Sequence, residues 1–181
     1  YLQGELIQRA EGMSEEEIQK SVKSQREIFS IVKNSNDDEK LEADLKEKFY
    51  AEYSTMTEEE KNKLGDPEVY LNMQIKTITS PWFKYFLRFD PVPVLEKVKC
   101  PVLAINGEKD LQVPPKENLS AIETALKKGG NNKFEVKMLP GLNHLFQTST
   151  TGAISEYGKI EETISPTALQ TMLDWIKGIT K

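Results

Sequence analysis

One cysteine and one histidine are all that the 181 residues contain of either type. A lone Cys100 permits no intrachain disulfide and no thiolate metal cluster, and a lone His144 excludes any multi-histidine metal site. Cys100 stands just before an apolar run and is expected to be a small buried hydrophobe, since a reactive thiol needs an electropositive, partly exposed setting. Long hydrophobic runs are missing too: nothing approaches the roughly 18 apolar residues of a membrane-spanning helix. Basic residues are the minority charge, 24 Lys and Arg against 29 Asp and Glu, for a formal net charge of -5. Nucleic-acid binders concentrate cations on one face, so neither a nucleic acid nor a membrane is expected as a partner. The opening Tyr1-Leu2-Gln3-Gly4 has no initiator methionine and none of the pattern of a signal peptide. The native N-terminus is therefore expected to lie elsewhere, and cytoplasmic and exported locations stay equally open.

What is present supports a folded core: 38% apolar residues and a mean hydropathy of -0.54. The chain reads in two parts. Residues 1–90 carry helical periodicity. Ser14 with Glu17 forms a capping-box pattern, and Ile18, Val22, Ile28, Phe29 and Val32 then recur at near-helical spacing. After the polar break Asn34–Asp38, a second helix presents Leu41, Leu45, Phe49 and Tyr50. Thr57 with Glu60 repeats the capping box. Gly65-Asp66-Pro67 opens a further helix, with proline suited to its first position, carrying Val69, Tyr70, Met73 and Ile78. The acidic runs Glu15–Glu17 and Glu58–Glu60 suit helix N-termini, where the macrodipole favours carboxylates. Ser80 to Phe89 is dense in aromatics; core packing is the default reading of such a cluster, with a pocket wall or an interface as alternatives.

The period changes in residues 91–181. Pro101-Val102-Leu103-Ala104-Ile105-Asn106-Gly107 is a continuous apolar run ending in glycine, as a strand buried on both faces of a parallel sheet would be. A helix is expected from about Pro115 to Lys128, ended by Gly129-Gly130-Asn131-Asn132, then a strand over Phe134–Leu139. Ser165-Pro166 reads as the cap and first turn of a last helix carrying Leu169, Met172, Leu173, Trp175 and Ile176. Strand, helix, strand at this spacing makes a right-handed parallel βαβ unit. Ligands of such sheets bind beyond the carboxyl ends of the strands, and Asp110 and His144 stand there.

Asn106-Gly107-Glu108-Lys109-Asp110-Leu111-Gln112-Val113-Pro114 resembles the acid loop of α/β-hydrolases, and Leu139-Pro140-Gly141-Leu142-Asn143-His144-Leu145-Phe146 resembles their histidine loop. The tail through Trp175-Ile176 is similar to the final helix of that fold. Gly12-Met13-Ser14-Glu15-Glu16 and Pro81-Trp82-Phe83 resemble the cap of bacterial dienelactone-hydrolase-like serine esterases. The resemblance implies the C-terminal part of an α/β-hydrolase fold, a parallel βαβ with its final helix, preceded by a helical cap: residues 1–90 as the cap and 91–181 as core. It implies Asp110 as the acid and His144 as the base of a catalytic triad. Neither residue type is diagnostic alone, since Asp is a common turn former; the two in this order on these elements carry the reading. Trp82, Phe83 and Phe86 are expected as an apolar wall for the substrate, against plain core packing. No metal or organic cofactor is implied.

One part of the pattern is missing. No serine here is flanked by glycines as Gly-x-Ser-x-Gly, the elbow that precedes the acid in this fold. Ser149 and Ser155 lie nearest His144 in sequence, in a polar loop with no elbow to fix a nucleophile. The expectation is therefore a fragment of a serine hydrolase that cleaves carboxylic esters through an acyl-enzyme, supplying acid and base while the nucleophile and oxyanion donors lie upstream of Tyr1. Within that class a peptidase or thioesterase is the alternative; outside it, a non-catalytic helical interaction module or an inactive remnant. Two strands leave an open sheet edge. The expected partners are a small-molecule ester and either the upstream half of the fold or another copy of the chain at that edge.

Overall fold

A computed structural model describes residues 1–180. The chain divides into two compact units, Tyr1–Val22 with Asp90–Lys181, and Lys23–Phe89. The helices are α1 (Leu2–Ala10), α2 (Glu15–Asn34), α3 (Asp38–Thr55), α4 (Glu58–Leu64), α5 (Pro67–Ile78), α6 (Pro81–Arg88), α7 (Val92–Leu95), α8 (Pro115–Lys128) and α9 (Pro166–Ile179). The strands are β1 (Val102–Gly107) and β2 (Phe134–Leu139), and a short 3-10 helix covers Ile154–Lys159.

Local capping chemistry sets the helix starts. Ser14 and Glu17 exchange the hydrogen bonds of a capping box ahead of α2, and Thr57 with Glu60 does the same for α4. Each satisfies amides that the first turn cannot pair internally. Asp66 caps α5 and Ser165 caps α9, with proline at the first position of both.

The Lys23–Phe89 unit packs Val32, Leu41, Leu45, Leu71 and Ile75 into one core, with Ile28, Phe49 and Ile78 against it. Arg88 donates to the carbonyls of Val32 and Ser35 at the end of α2, where the unpaired carbonyls and the helix dipole favour a cation. The apolar residues of α5 are not all buried. Val69 is 68% and Met73 58% exposed, whereas Leu71 and Ile75 are buried. Leu71, Ile75 and Ile78 follow the i, i+4, i+7 stripe that faces a helix's own core; Val69 and Met73 lie off it. The aromatics of α6 depart from the default as well: Trp82, Tyr85 and Phe86 are each at least 60% exposed, so these rings do not form a core within this unit.

In the other unit β1 and β2 run parallel, in register from Val102 opposite Phe134 to Gly107 opposite Leu139. α8 forms the crossover and buries Leu119, Ala125 and Leu126. Asn131, left buried after α8, donates to the carbonyls of Val98 and Cys100 and accepts from the Lys133 amide, so one side chain fixes the entry to both strands. Cys100 is exposed, against the expectation of burial. Pairing starts only at Val102, so the residue before Pro101 stands outside the sheet. On α9 only Ala168 is buried, while Leu169, Leu173 and Ile176 are 49%, 43% and 49% exposed. No helix among the described residues is long and apolar enough to cross a membrane.

Candidate active site

β1 ends at Gly107 and β2 at Leu139, one beside the other, and each strand runs straight into a loop. The two loops touch at backbone distance. A Cβ built on Gly107 would lie 2.2 Å from the Leu142 carbonyl oxygen and 2.4 Å from that of Asn143, so only glycine admits this approach. Lys109 N donates to the Leu142 carbonyl at 2.9 Å, and Glu108 N to that of Leu139 at 2.8 Å. The acid loop and the histidine loop are thus pinned together by main-chain bonds.

That contact brings Asp110 and His144 into a pair, His144 Nδ1 to Asp110 Oδ2 at 3.0 Å. The carboxylate is 3% exposed and the imidazole 35%. Asp110 is well provided with donors. Its Oδ1 accepts from the amides of Gln112 at 2.9 Å and Val113 at 2.8 Å, an Asx turn of the kind aspartate forms readily. Its Oδ2 accepts from Asn106 Nδ2 at 3.1 Å as well as from the histidine. A buried group surrounded by donors is an acceptor on every side, which is the ionised carboxylate. Against it His144 places its proton on Nδ1, which leaves the lone pair on Nε2. A neutral imidazole held in this tautomer can accept a proton at Nε2.

The histidine loop is built around Asn143, which is 0% exposed. Its Oδ1 accepts from the amides of Leu145 and Gln147, its Nδ2 donates to Gln147 Oε1, and its own amide donates to the Gln147 carbonyl. Gln147 in turn donates to the Glu162 carbonyl. The turn holds Phe146 at φ 57, a left-handed conformation costing a bulky residue roughly 1–3 kcal/mol. Packing of Phe146 with Leu139, Leu142 and Ala168 offsets it, as does its carbonyl, which accepts from Ser165 N at 2.8 Å. Asn143 and Gln147 were not legible as site-builders; the signal was an Asx-forming residue immediately before the histidine.

A third segment borders the pair. Lys109 Nζ donates to the carbonyls of Ser149 and Thr150 at 2.7 and 2.8 Å. Gly152, at φ +80, sits where any Cβ would meet the Lys109 carbonyl oxygen at 2.0 Å. Glu156 organises this loop: it accepts from the Ser149 hydroxyl and from the amides of Thr151 and Gly152. These bonds, the Ser149 hydroxyl first, hold its carboxyl at about 2 instead of 4.5. A depressed folded-state pKa stabilises above the unfolded value and is lost on acidification. The loop is therefore expected to be fully held above about pH 4.5 and to loosen as pH falls toward 2. Hydrogen exchange at the Thr151 and Gly152 amides checks this, and protection unchanged across that window would contradict it. With its hydroxyl donating to Glu156 and accepting from Gly152 N at 2.9 Å, Ser149 is committed to this turn, while Ser155 is exposed.

Asp110 and His144, then, meet as the sequence suggests. Trp82, Phe83 and Phe86 gather on α6 of the Lys23–Phe89 unit, with Trp82 stacked on Phe86 at 5.4 Å and Phe83 edge-on to Phe29 at 5.8 Å. No cluster of three or more His, Cys, Asp or Glu able to hold a metal occurs among the described residues. In comparison with known proteins, the model of the prolyl oligopeptidase family matches residues 46–164, more than half of the chain and including both Asp110 and His144. No curated protein and no solved structure matches.

Proposed function

Because the chain belongs to the prolyl oligopeptidase family, hydrolases of the α/β-hydrolase fold, we propose that it supplies the acid and base of a serine hydrolase whose nucleophile lies on a segment preceding these residues. The observation that carries the reading is the 3.0 Å bond between His144 Nδ1 and the buried Asp110 carboxylate. His144 Nε2 takes the proton of the incoming serine hydroxyl as that oxygen attacks the substrate carbonyl. It then passes the proton to the departing alkoxide, which leaves an acyl-enzyme. Water, deprotonated by the same nitrogen, releases the acid and restores the serine. Asp110 stays ionised throughout and stabilises the transient imidazolium.

The substrate reading is a carboxylic ester of small to medium acyl group, as in dienelactone-hydrolase-like esterases, with Trp82, Phe83 and Phe86 as apolar wall. The partner reading is the upstream half of the same fold, or a second copy of the chain, covering the half-exposed Leu169, Leu173 and Ile176 and the unpaired edge of the sheet. A peptidase is the second reading, and the family match favours it. The complete protein, translated with the sequence upstream of Tyr1, separates the two when assayed on short p-nitrophenyl esters and on prolyl peptide anilides in parallel. A higher kcat/KM on the esters is the expected result. A preference for the anilides would replace esterase by peptidase, and no turnover of either would leave an inactive remnant.

A further inference from the structure

We propose that Asn118 and Asn106 form a positioning relay behind the acid: Asn118 sets which way the Asn106 amide faces, and Asn106 sets the carboxylate oxygen that holds His144. The proposal rests on reading Asp110 and His144 as an acid–base pair.

Asn106 is a polar residue next to the end of an otherwise apolar strand, and it is 7% exposed. Its Nδ2 faces two acceptors, Asp110 Oδ2 at 3.1 Å and the Val113 carbonyl at 3.3 Å. An amide oxygen at that place would confront two other oxygens, so the acceptors themselves decide the orientation. The opposite end, Asn106 Oδ1, accepts from Asn118 Nδ2 at 2.7 Å. Asn118 lies one turn into α8, the helix that carries the chain from β1 to β2. The relay therefore runs from a packed helix, through the strand end, into the carboxylate. Its polarity is donor to acceptor at each step.

Oδ2 is where the relay matters. It is the oxygen that His144 uses, and Oδ1 is already occupied by two main-chain amides. The amides fix one end of the carboxylate and Asn106 fixes the other, so Oδ2 has a single position from which to meet Nδ1. Buried networks of this kind stabilise one arrangement only when every member is satisfied.

Asn118→Asp tests the relay because it keeps the shape and reverses the polarity. Aspartate only accepts, so Asn106 must turn its nitrogen to position 118 and its oxygen to Asp110 and Val113. Oxygen against oxygen then displaces the carboxylate from His144. The readout is the far-downfield Nδ1–H proton signal of the imidazolium, recorded on histidine-labelled protein in the cold; with a single histidine it can come from one residue only. The parent chain is expected to show it and Asn118→Asp to lose it. The added negative charge would by itself favour the imidazolium, so loss runs against the simple charge effect. Asn118→Leu removes the donor without adding charge and is expected to speed solvent exchange of the same proton at least tenfold. Amide dispersion identifies which variants are folded. Loss or faster exchange in either folded variant supports the relay. An unchanged signal in both overturns it and leaves the two asparagines as loop structure. Absence of the signal from the parent itself would overturn the acid–base pair, and the relay with it.

Discussion

His144→Ala, made in a polypeptide that carries the proposed preceding nucleophile segment, is expected to lower kcat for ester hydrolysis by about four orders of magnitude or more, with KM changed little. The reasoning is that triad members act as a unit: without a base the serine hydroxyl stays protonated, and what remains is the contribution of oxyanion donors and binding, roughly 10³–10⁴ over water. His144 is well placed for so large an effect, since no other histidine exists in these residues to substitute and its ring is fixed by the buried Asp110. Asp110→Asn is expected to cost about 10⁴-fold by releasing the Nδ1–H tautomer. Steady-state kinetics on p-nitrophenyl esters measure both. A His144→Ala enzyme within tenfold of the parent would remove histidine from the chemistry.

Gly107→Ala is the second large effect, and it needs no substrate. Glycine is required here for space, since its backbone conformation is ordinary. The added methyl would meet the carbonyl oxygens of Leu142 and Asn143 at 2.2 and 2.4 Å, and these are main-chain atoms held by the bonds from the Lys109 and Phe146 amides. Flexible side chains can swing away from an extra carbon; a pinned backbone cannot. Overpacking costs about 1–3 kcal/mol and more where nothing yields, so a loss of about 3 kcal/mol or more is expected, read as a lowered urea midpoint. The histidine loop must also move off β1, so the Asp110–His144 bond should be lost in whatever still folds. An unchanged midpoint would mean that the loops are not in contact at Gly107.

The sequence pattern made the second half readable because its signals are local and strong. A continuous apolar run ending in glycine places β1, Ser165-Pro166 places the start of α9, and the spacing of Asp110 and His144 leaves room for the one helix and one strand found between them. The face of α5 was not legible for a definable reason. Val69, Tyr70, Leu71, Met73, Ile75 and Ile78 put apolar side chains nearly all round that helix, so periodicity alone does not choose a face, and tertiary packing chose Leu71 and Ile75. Cys100 misled because apolar neighbours in sequence do not establish where strand pairing begins. The polar frame of the site was the least legible part. Asn106, Asn118, Asn143 and Gln147 read as ordinary loop and helix residues until the fold sets their amides against one another.

The division of labour between these residues and an upstream nucleophile is tested most directly by fluorophosphonate labelling of the complete protein, with the modified peptide located by mass spectrometry and residues 1–181 alone treated in parallel. The expected result is a single labelled serine preceding Tyr1, on a Gly-x-Ser-x-Gly elbow, with residues 1–181 alone unlabelled. A label on Ser149, Ser155 or any other serine within residues 1–181 would contradict it and place the whole catalytic apparatus in this chain.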